Sequence, residues 1–217
     1  MRKIRKNTPP ALLTTYRRQI GASYDDIDKD VYDATLLALL NEQGWVCGYC
    51  QQNITAPQNA TIEHYCEKSI CNGTEGTLDL TLVYANMMAV CPGKTTNDTH
   101  CDEKKSKFRL ATGLPIEVSP WNTAHIKAIS YTSTGTIKSS NARHNTEIDK
   151  ILNLNISYLK KNRKSKFVSL LKAAGDISVK KGKDRLKKIL NDELVIGNNR
   201  YPSSFPGMCE YMMKYTK

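Results

Sequence analysis

Six of the chain's seven cysteines fall between Trp45 and Leu110, in a stretch interrupted by Gly, Asn and Pro and poor in large apolar side chains. A segment of that kind cannot assemble much of a core by itself, and metal binding is one way to supply the missing folding energy. Cys47-Gly-Tyr-Cys50 is a CxxC knuckle, whose tight turn aims two thiolates at one tetrahedral ion. Redox motifs share this spacing, but a second pair of soft ligands in the same segment moves the balance to structural zinc. Spacing alone leaves three completions open. Cys91 and Cys101 can supply the other two thiolates across a nine-residue insert; so can His64 with Cys66, which face the same way along a strand, or Cys66 with Cys71. In a reducing cytosol, seven cysteines are better explained by metal than by disulfides, and the odd count leaves one unpaired. Cysteines off the metal, Cys209 among them, then read as small buried residues.

The surrounding sequence is expected to be α+β and mainly helical. "PPALLTTYRRQI" and "YDDIDKDVYDATLLALLNEQ" read as helices, the second with Ser23 as a possible cap and Gly44 just past its end, giving an N-terminal helical region over 1–44. Residues 45–112 form the chemical segment, with short β-like runs in "ATIEHY" and "MMAVC". A linker and β-hairpin follow over 113–144, where alternation on either side of Ser-Thr-Gly marks the turn in "HIKAISYTSTGTIK". Residues 145–217 turn helical again, with Ile148, Ile151, Leu152, Ile156 and Leu159 at core-facing helical spacing. His125 and His144 have no partnered acids close in sequence and read as structural or exposed. No apolar run approaches the roughly 20 residues that span a bilayer. With no signal-peptide pattern behind "MRKIRK", the expected location is cytoplasmic.

Charge narrows the class of partner. Between Leu159 and Ile189 there are twelve basic residues, Lys160, Lys161, Arg163 and Lys164 leading, against Asp176 and Asp184; this is nearly the whole net charge of +11. So concentrated a positive region attracts a polyanion such as nucleic acid through phosphate contacts and counterion release, which carry affinity without sequence information. A solvated helical face is the blander alternative.

"TIEHYCEKS" at 61–69 supplies the chemistry. If Cys47, Cys50, Cys91 and Cys101 take the zinc, His64 and Glu63 come near Asp102, which directly follows the last ligand. An imidazole beside two carboxylates suits a hydrolytic site that holds a hard divalent cation, Mg²⁺ or Mn²⁺, through oxygens and uses neutral histidine to deprotonate water.

In that order these residues resemble the HNH endonuclease family: Cys47 and Cys50, "IEH" at 62–64, Asn86 in "VYANMMAVC", then "HCDEKKSK" at 100–107. The similarity is greatest to the PtuB-like HNH nucleases of Septu-type and retron-associated antiphage defence, through "IEHYCEKS", "HCDEKKSK" and "ARHNTEIDKILNLNISYLKKNR", over roughly residues 45 to 163. The resemblance implies a zinc-braced ββα-metal core. Within it, His64 is the general base, Glu63 and Asp102 hold the catalytic ion, and Asn86 positions the base strand. Lys104 or Lys105 lies near phosphate. Cys91 and Cys101 make a longer second knuckle than the family's usual CxxC, which brings in His100 as a substitute for Cys101 on zinc. The implied activity is phosphodiester hydrolysis of DNA, or of an RNA such as tRNA, in a complex with a PtuA-like ATPase. A zinc-braced nucleic-acid-binding adaptor without catalysis is the rival reading.

Overall fold

The computed structural model describes residues 1–73, 79–112, 116–195 and 202–217, with main chain alone over 109–112. The opening Gly-Leu-Pro of the expected linker, 113–115, lies outside the described residues. Among the described residues are eight α-helices and two two-stranded antiparallel sheets, an α+β arrangement that is mainly helical.

Helix α1 (Ala11–Tyr16) packs on α2 (Lys29–Gln43). Helix α2 buries Val31, Thr35, Leu36, Leu39 and Leu40, a stripe at helical spacing, and stops at Gly44, whose φ of 70° is the left-handed conformation glycine adopts without steric cost. It begins later than the sequence suggests. Ser23 accepts from the Asp25 N–H in a local turn, so the helix starts beyond the acidic run instead of at that serine.

The end of α2 is tied directly to the first sheet, made of β1 (Thr61–His64) and β2 (Met87–Val90) in the register Thr61 to Val90 and His64 to Met87. Gln43 acts as a surrogate strand: its amide nitrogen donates to the carbonyls of Val46 (2.9 Å) and Ala89 (2.8 Å), and its oxygen accepts from Ala89 N (2.8 Å). Helix α3 (Cys101–Thr112) follows β2, so two strands and a helix form the frame that carries the chemical residues.

Beyond it, Asn122 caps the short α4 (Thr123–Lys127) by accepting from two backbone N–H groups, which makes a helix of residues expected in the hairpin. The hairpin is β3 (Ile129–Tyr131) with β4 (Ile137–Ser139). Its turn falls at Ser-Thr-Gly as read.

The "TEIDKILNLNISYLKKN" segment is not one helix. Helix α5 (Ala142–Thr146) runs into a π turn at Glu147–Ile151, the chain breaks at Asn153 with φ of 50°, and α6 (Ser157–Ala174) starts afresh. Buried Glu147 explains the detour, since its carboxylate there accepts from the N–H groups of Glu117 and Val118 at 2.7 to 3.0 Å. The apolar set Ile148, Ile151, Leu152, Ile156 and Leu159 is buried as its spacing indicates. Helices α7 (Lys180–Glu193) and α8 (Pro206–Met212) complete the C-terminal part, α7 packing on both α6 and α8. No helix among the described residues is long and apolar enough to cross a membrane.

Candidate metal centre and carboxylate site

A tight loop sets the first knuckle. Val46 bridges Asn53, Cys47 N donates to Gln52 O (2.9 Å), and Gln51 N donates to Cys47 O (3.0 Å), which turns Cys47 and Cys50 to one side. Gly48 sits where the loop meets β2: a Cβ there would come within 2.7 Å of the Met88 sulfur. The second knuckle is built by doubling back. After Cys91 the chain turns at Gly93, Lys94 bridges Thr99, Thr95 N donates to Asp98 O (2.9 Å) and His100 N to Gly93 O (2.7 Å). The nine-residue insert therefore closes on itself and returns Cys101 beside Cys91.

The result is a four-thiol cluster. The ligand atoms of Cys47, Cys50, Cys91 and Cys101 all lie within 4.8 Å of one another. Sγ of Cys47 is 3.8 Å from that of Cys101, and Sγ of Cys50 is 3.7 Å from that of Cys91. Thiolates about 2.3 Å from a tetrahedral ion lie about 3.8 Å apart, so the donor set and its spacing fit a metal such as zinc. Of the three completions open on spacing, this is the one formed. His64 is outside the cluster. Cys66 and Cys71 are also outside it and form a disulfide with each other, which corrects the expectation of two isolated buried thiols: a five-residue separation and a Cα distance of 6.0 Å bring them into bonding range. His100 is buried against the cluster without joining it, its Nδ1 3.1 Å from the Cys101 sulfur. Cys209 is buried and free, as expected.

The carboxylate site lies beside the cluster. Glu63 on β1 is buried, and its Oε1 accepts from the Tyr49 hydroxyl (3.0 Å) and from the Lys105 ammonium. Asp102, in the first turn of α3, is half-buried and close enough to act on Glu63 electrostatically, while its Oδ1 accepts from the Ser106 hydroxyl (3.2 Å). Burial pushes the Glu63 carboxyl up to about 8; Lys105 pulls it down and the Asp102 charge pushes it further up. Asn86, just before β2, brackets the chain leaving β1: its Oδ1 accepts from Cys66 N (2.8 Å) and its Nδ2 donates to the carbonyls of Cys66 (2.9 Å) and Leu80 (3.2 Å).

His64 follows Glu63 on the strand and finds different neighbours, as alternation requires. Its Nε2 is 2.8 Å from the Thr81 carbonyl, and the Tyr24 ring meets it edge-on with centroids 4.4 Å apart. Since a carbonyl only accepts, Nε2 carries the proton and Nδ1 the lone pair; among the described residues Nδ1 has no hydrogen-bond partner. Burial, the largest cause, lowers its pKa and so favours the neutral ring. A cavity of about 300 Å³ opens next to it, walled by Tyr24 and Thr81, the two residues that touch the ring, and by Asp25, Lys68, Ser69 and Asn72.

The six lysine and arginine residues assigned to phosphate divide into two groups. Lys161 and Lys164 are exposed on α6, and Lys104 and Lys160 are half-buried. Lys105 and Arg163 are internal, and a surface role for them is corrected. Lys105 is 2% exposed, its charge committed to Glu63 and to the His64 carbonyl at 3.2 Å. Arg163 is 1% exposed and ties α6 to the hairpin turn and the chain break, donating to the carbonyls of Gly135 and Leu154. His144, read as remote from acids, is buried with its Nε2 3.8 Å from the Glu117 carboxylate and its ring against that of His125.

Tyr49, Tyr24 and the Cys66–Cys71 bridge were missed from sequence. For Tyr49 a signal existed, since its place inside the knuckle forces it toward whatever the knuckle packs on. No family model and no curated protein matches the chain.

Proposed function

We propose that the chain is a metal-dependent endonuclease of the HNH type, hydrolysing phosphodiester bonds of DNA or of an RNA such as tRNA, and that it works as the effector of an antiphage defence complex with a PtuA-like ATPase. The observation that carries this reading is the frame itself. Two antiparallel strands and a helix, with four thiols beside them, carry two carboxylates, Glu63 on β1 and Asp102 at the start of α3, and the next residue of β1, His64, on the opposite face of the strand.

Zinc on Cys47, Cys50, Cys91 and Cys101 would be structural, all four protein positions being thiolates with none left for substrate. The catalytic cation, Mg²⁺ or Mn²⁺, would be held by Glu63 and Asp102. These fit a hard ion by donor type, both offering carboxylate oxygens, Glu63 buried and Asp102 half-buried near it. Bound there, such an ion supplies charge neutralisation at the phosphate. The chain's own part is proton transfer and positioning. With Nε2–H fixed on the Thr81 carbonyl, the Nδ1 of His64 accepts a proton from the attacking water, a role that typically contributes about 10² to 10⁴ in rate. Asn86 fixes the main chain directly after that base.

Two observations favour a second reading, a zinc-braced nucleic-acid-binding adaptor without catalysis. Lys105 already supplies a cation to Glu63, and His64 turns to other neighbours. Incubating the purified protein, alone and with an ATPase partner, with DNA and with RNA in Mg²⁺ or Mn²⁺ separates the two. Metal-dependent cleavage that disappears in His64→Ala, with zinc content and fold unchanged, supports the nuclease. Binding without cleavage under every condition supports the adaptor.

A further inference from the structure

The Cys66–Cys71 disulfide closes the loop that leaves the candidate base, and several contacts of that loop reach His64's neighbours. Cys66 lies two residues after His64 and is held at both its N–H and its carbonyl by Asn86. Between the two cysteines, Glu67 lies 3.6 Å from the Lys105 ammonium, and Lys68 pairs with Asp25 while sitting 5.1 Å above the ring of Tyr24, the residue that meets His64 edge-on. Lys68 and Ser69 line the 300 Å³ cavity together with Tyr24 and Thr81. At the far end, Cys71 O accepts from Leu80 N (2.7 Å), which leads into Thr81 and its carbonyl on His64. Both cysteines are partly accessible, unlike three of the four thiols of the metal cluster, which are buried.

We propose that Cys66 and Cys71 form a redox latch over His64: the disulfide holds the 66–73 loop against Tyr24 and Lys105 and keeps the imidazole covered, and reduction releases it. This rests on the nuclease reading only for its purpose, access of water and phosphate to the base; the latch itself is a statement about the loop. The chemistry balances with a named reductant. A dithiol attacks one sulfur, passes through a mixed disulfide and leaves as its own disulfide, two electrons and two protons going to the cysteines. With a trialkylphosphine the phosphorus takes the oxygen of one water, becoming the phosphine oxide, and the two cysteines end as thiols. In a thiol-rich compartment the latch stands open, and oxidation closes it.

Removing a cross-link from a loop this short multiplies its open population by on the order of tenfold. The test is the rate at which diethyl pyrocarbonate modifies His64, followed by peptide mass spectrometry, with His100 and His144 as buried controls in the same digest. It is run on oxidised wild type, on wild type treated with a water-soluble phosphine, and on Cys66→Ser/Cys71→Ser without and with phosphine. The expected result is a roughly tenfold faster modification of His64 in reduced wild type, reproduced by the double serine variant, in which phosphine has no further effect. Hydrogen exchange over 66–73 in wild type, oxidised and reduced, gives the same comparison without a variant. Equal His64 rates and equal exchange in the two redox states overturn the latch, as does a phosphine response that persists in the double variant, since that traces to the metal-cluster thiols. Because neither readout is cleavage, loss of the nuclease reading and loss of the latch are distinct results. His64 uncovered by reduction without cleavage of any nucleic acid leaves the latch standing and removes the nuclease.

Discussion

Lys105 and Glu63 form an ion pair with both side chains out of water, 3% and 8% exposed, and the same ammonium donates to the carbonyl of His64 at 3.2 Å. A pair buried to this degree stabilises little against an apolar replacement of both members, but removing one partner strands the other and typically costs about 3 to 5 kcal/mol. Lys105→Met is therefore expected to lower urea stability by that order, and Glu63→Gln in the same background to recover most of it. The variant also probes the carboxylate site. With the ammonium gone, Mg²⁺ is expected to raise the melting temperature of Lys105→Met more than that of wild type, because binding to the native state alone stabilises it by mass action. Identical Mg²⁺ responses would argue against an ion on Glu63 and Asp102.

Zinc on the four-thiol cluster, as proposed, would set a different scale. Structural zinc in small thiolate sites contributes an apparent binding energy of about 10 to 16 kcal/mol near neutral pH, comparable with the whole stability of a domain, about 5 to 15 kcal/mol. Chelation, or Cys91→Ser, is expected to unfold the β1–β2 hairpin and the start of α3 while leaving the α6–α7 pair helical. Zinc content, with hydrogen exchange resolved over 45–112, measures this. His100→Ala is expected to keep the zinc, since the cluster is complete without it; zinc loss in that variant would restore His100 as a ligand.

How much of this was legible beforehand follows the range of each interaction. The two strand runs, the second hairpin and the buried stripe of Ile148 to Leu159 came from local spacing, which the chain obeys, whereas the four-thiol set was one of three completions that spacing left open and the pairing of β1 with β2 came with the family resemblance. The late start of α2, the π turn at Glu147 and the break at Asn153 did not, because the first is decided by a serine turn, the second by a carboxylate reaching backbone groups 29 and 30 residues away, and the third sits where Asn153 donates to the Thr99 carbonyl, 54 residues back. Lys105 and Arg163 illustrate the same limit. Each is one of several cations in a row, and only the folded chain shows which member turns inward to Glu63 or to the Gly135 carbonyl. The disulfide was discounted on grounds of compartment, an argument that says nothing about two cysteines already 6.0 Å apart at Cα.

Tyr65 gives an alkaline signature. Its hydroxyl donates to the Glu117 carbonyl (2.6 Å), and burial, the largest cause, pushes it up to about 12 from 10.0. The folded chain thus keeps a proton that the unfolded chain gives up. Its contribution is fully present below about pH 10 and is lost as pH rises through about 12. Tyr65→Phe is expected to flatten the fall in urea midpoint across that window, with tyrosinate absorbance tracking the wild-type transition. An unchanged slope would assign the alkaline loss to other buried tyrosines.

The last prediction concerns the surface that both functional readings share. Lys161 and Lys164 are exposed one turn apart on α6, while Arg163 between them is buried and holds the hairpin turn. If α6 lies along a nucleic-acid backbone, each exposed lysine neutralises a phosphate and releases a counterion, which contributes about 0.9 to the slope of log affinity against log salt on duplex DNA. Lys161→Gln/Lys164→Gln is then expected to reduce the slope by about 1.8, to weaken binding about equally for all sequences, and to leave urea stability within about 0.5 kcal/mol of wild type. Arg163→Met should do the reverse, lowering stability through the unsatisfied carbonyls of Gly135 and Leu154 and leaving the slope unchanged in whatever protein remains folded. Fluorescence anisotropy over a salt series measures the slope, and an unaltered slope in the double variant would move the nucleic acid off α6. The exposed basic face of α7, with Lys180, Lys181, Arg185 and Lys188, is then the surface to mutate next. Cleavage, if carried by His64, should fall in the double variant only as far as binding does, because those lysines supply affinity and not the proton transfer.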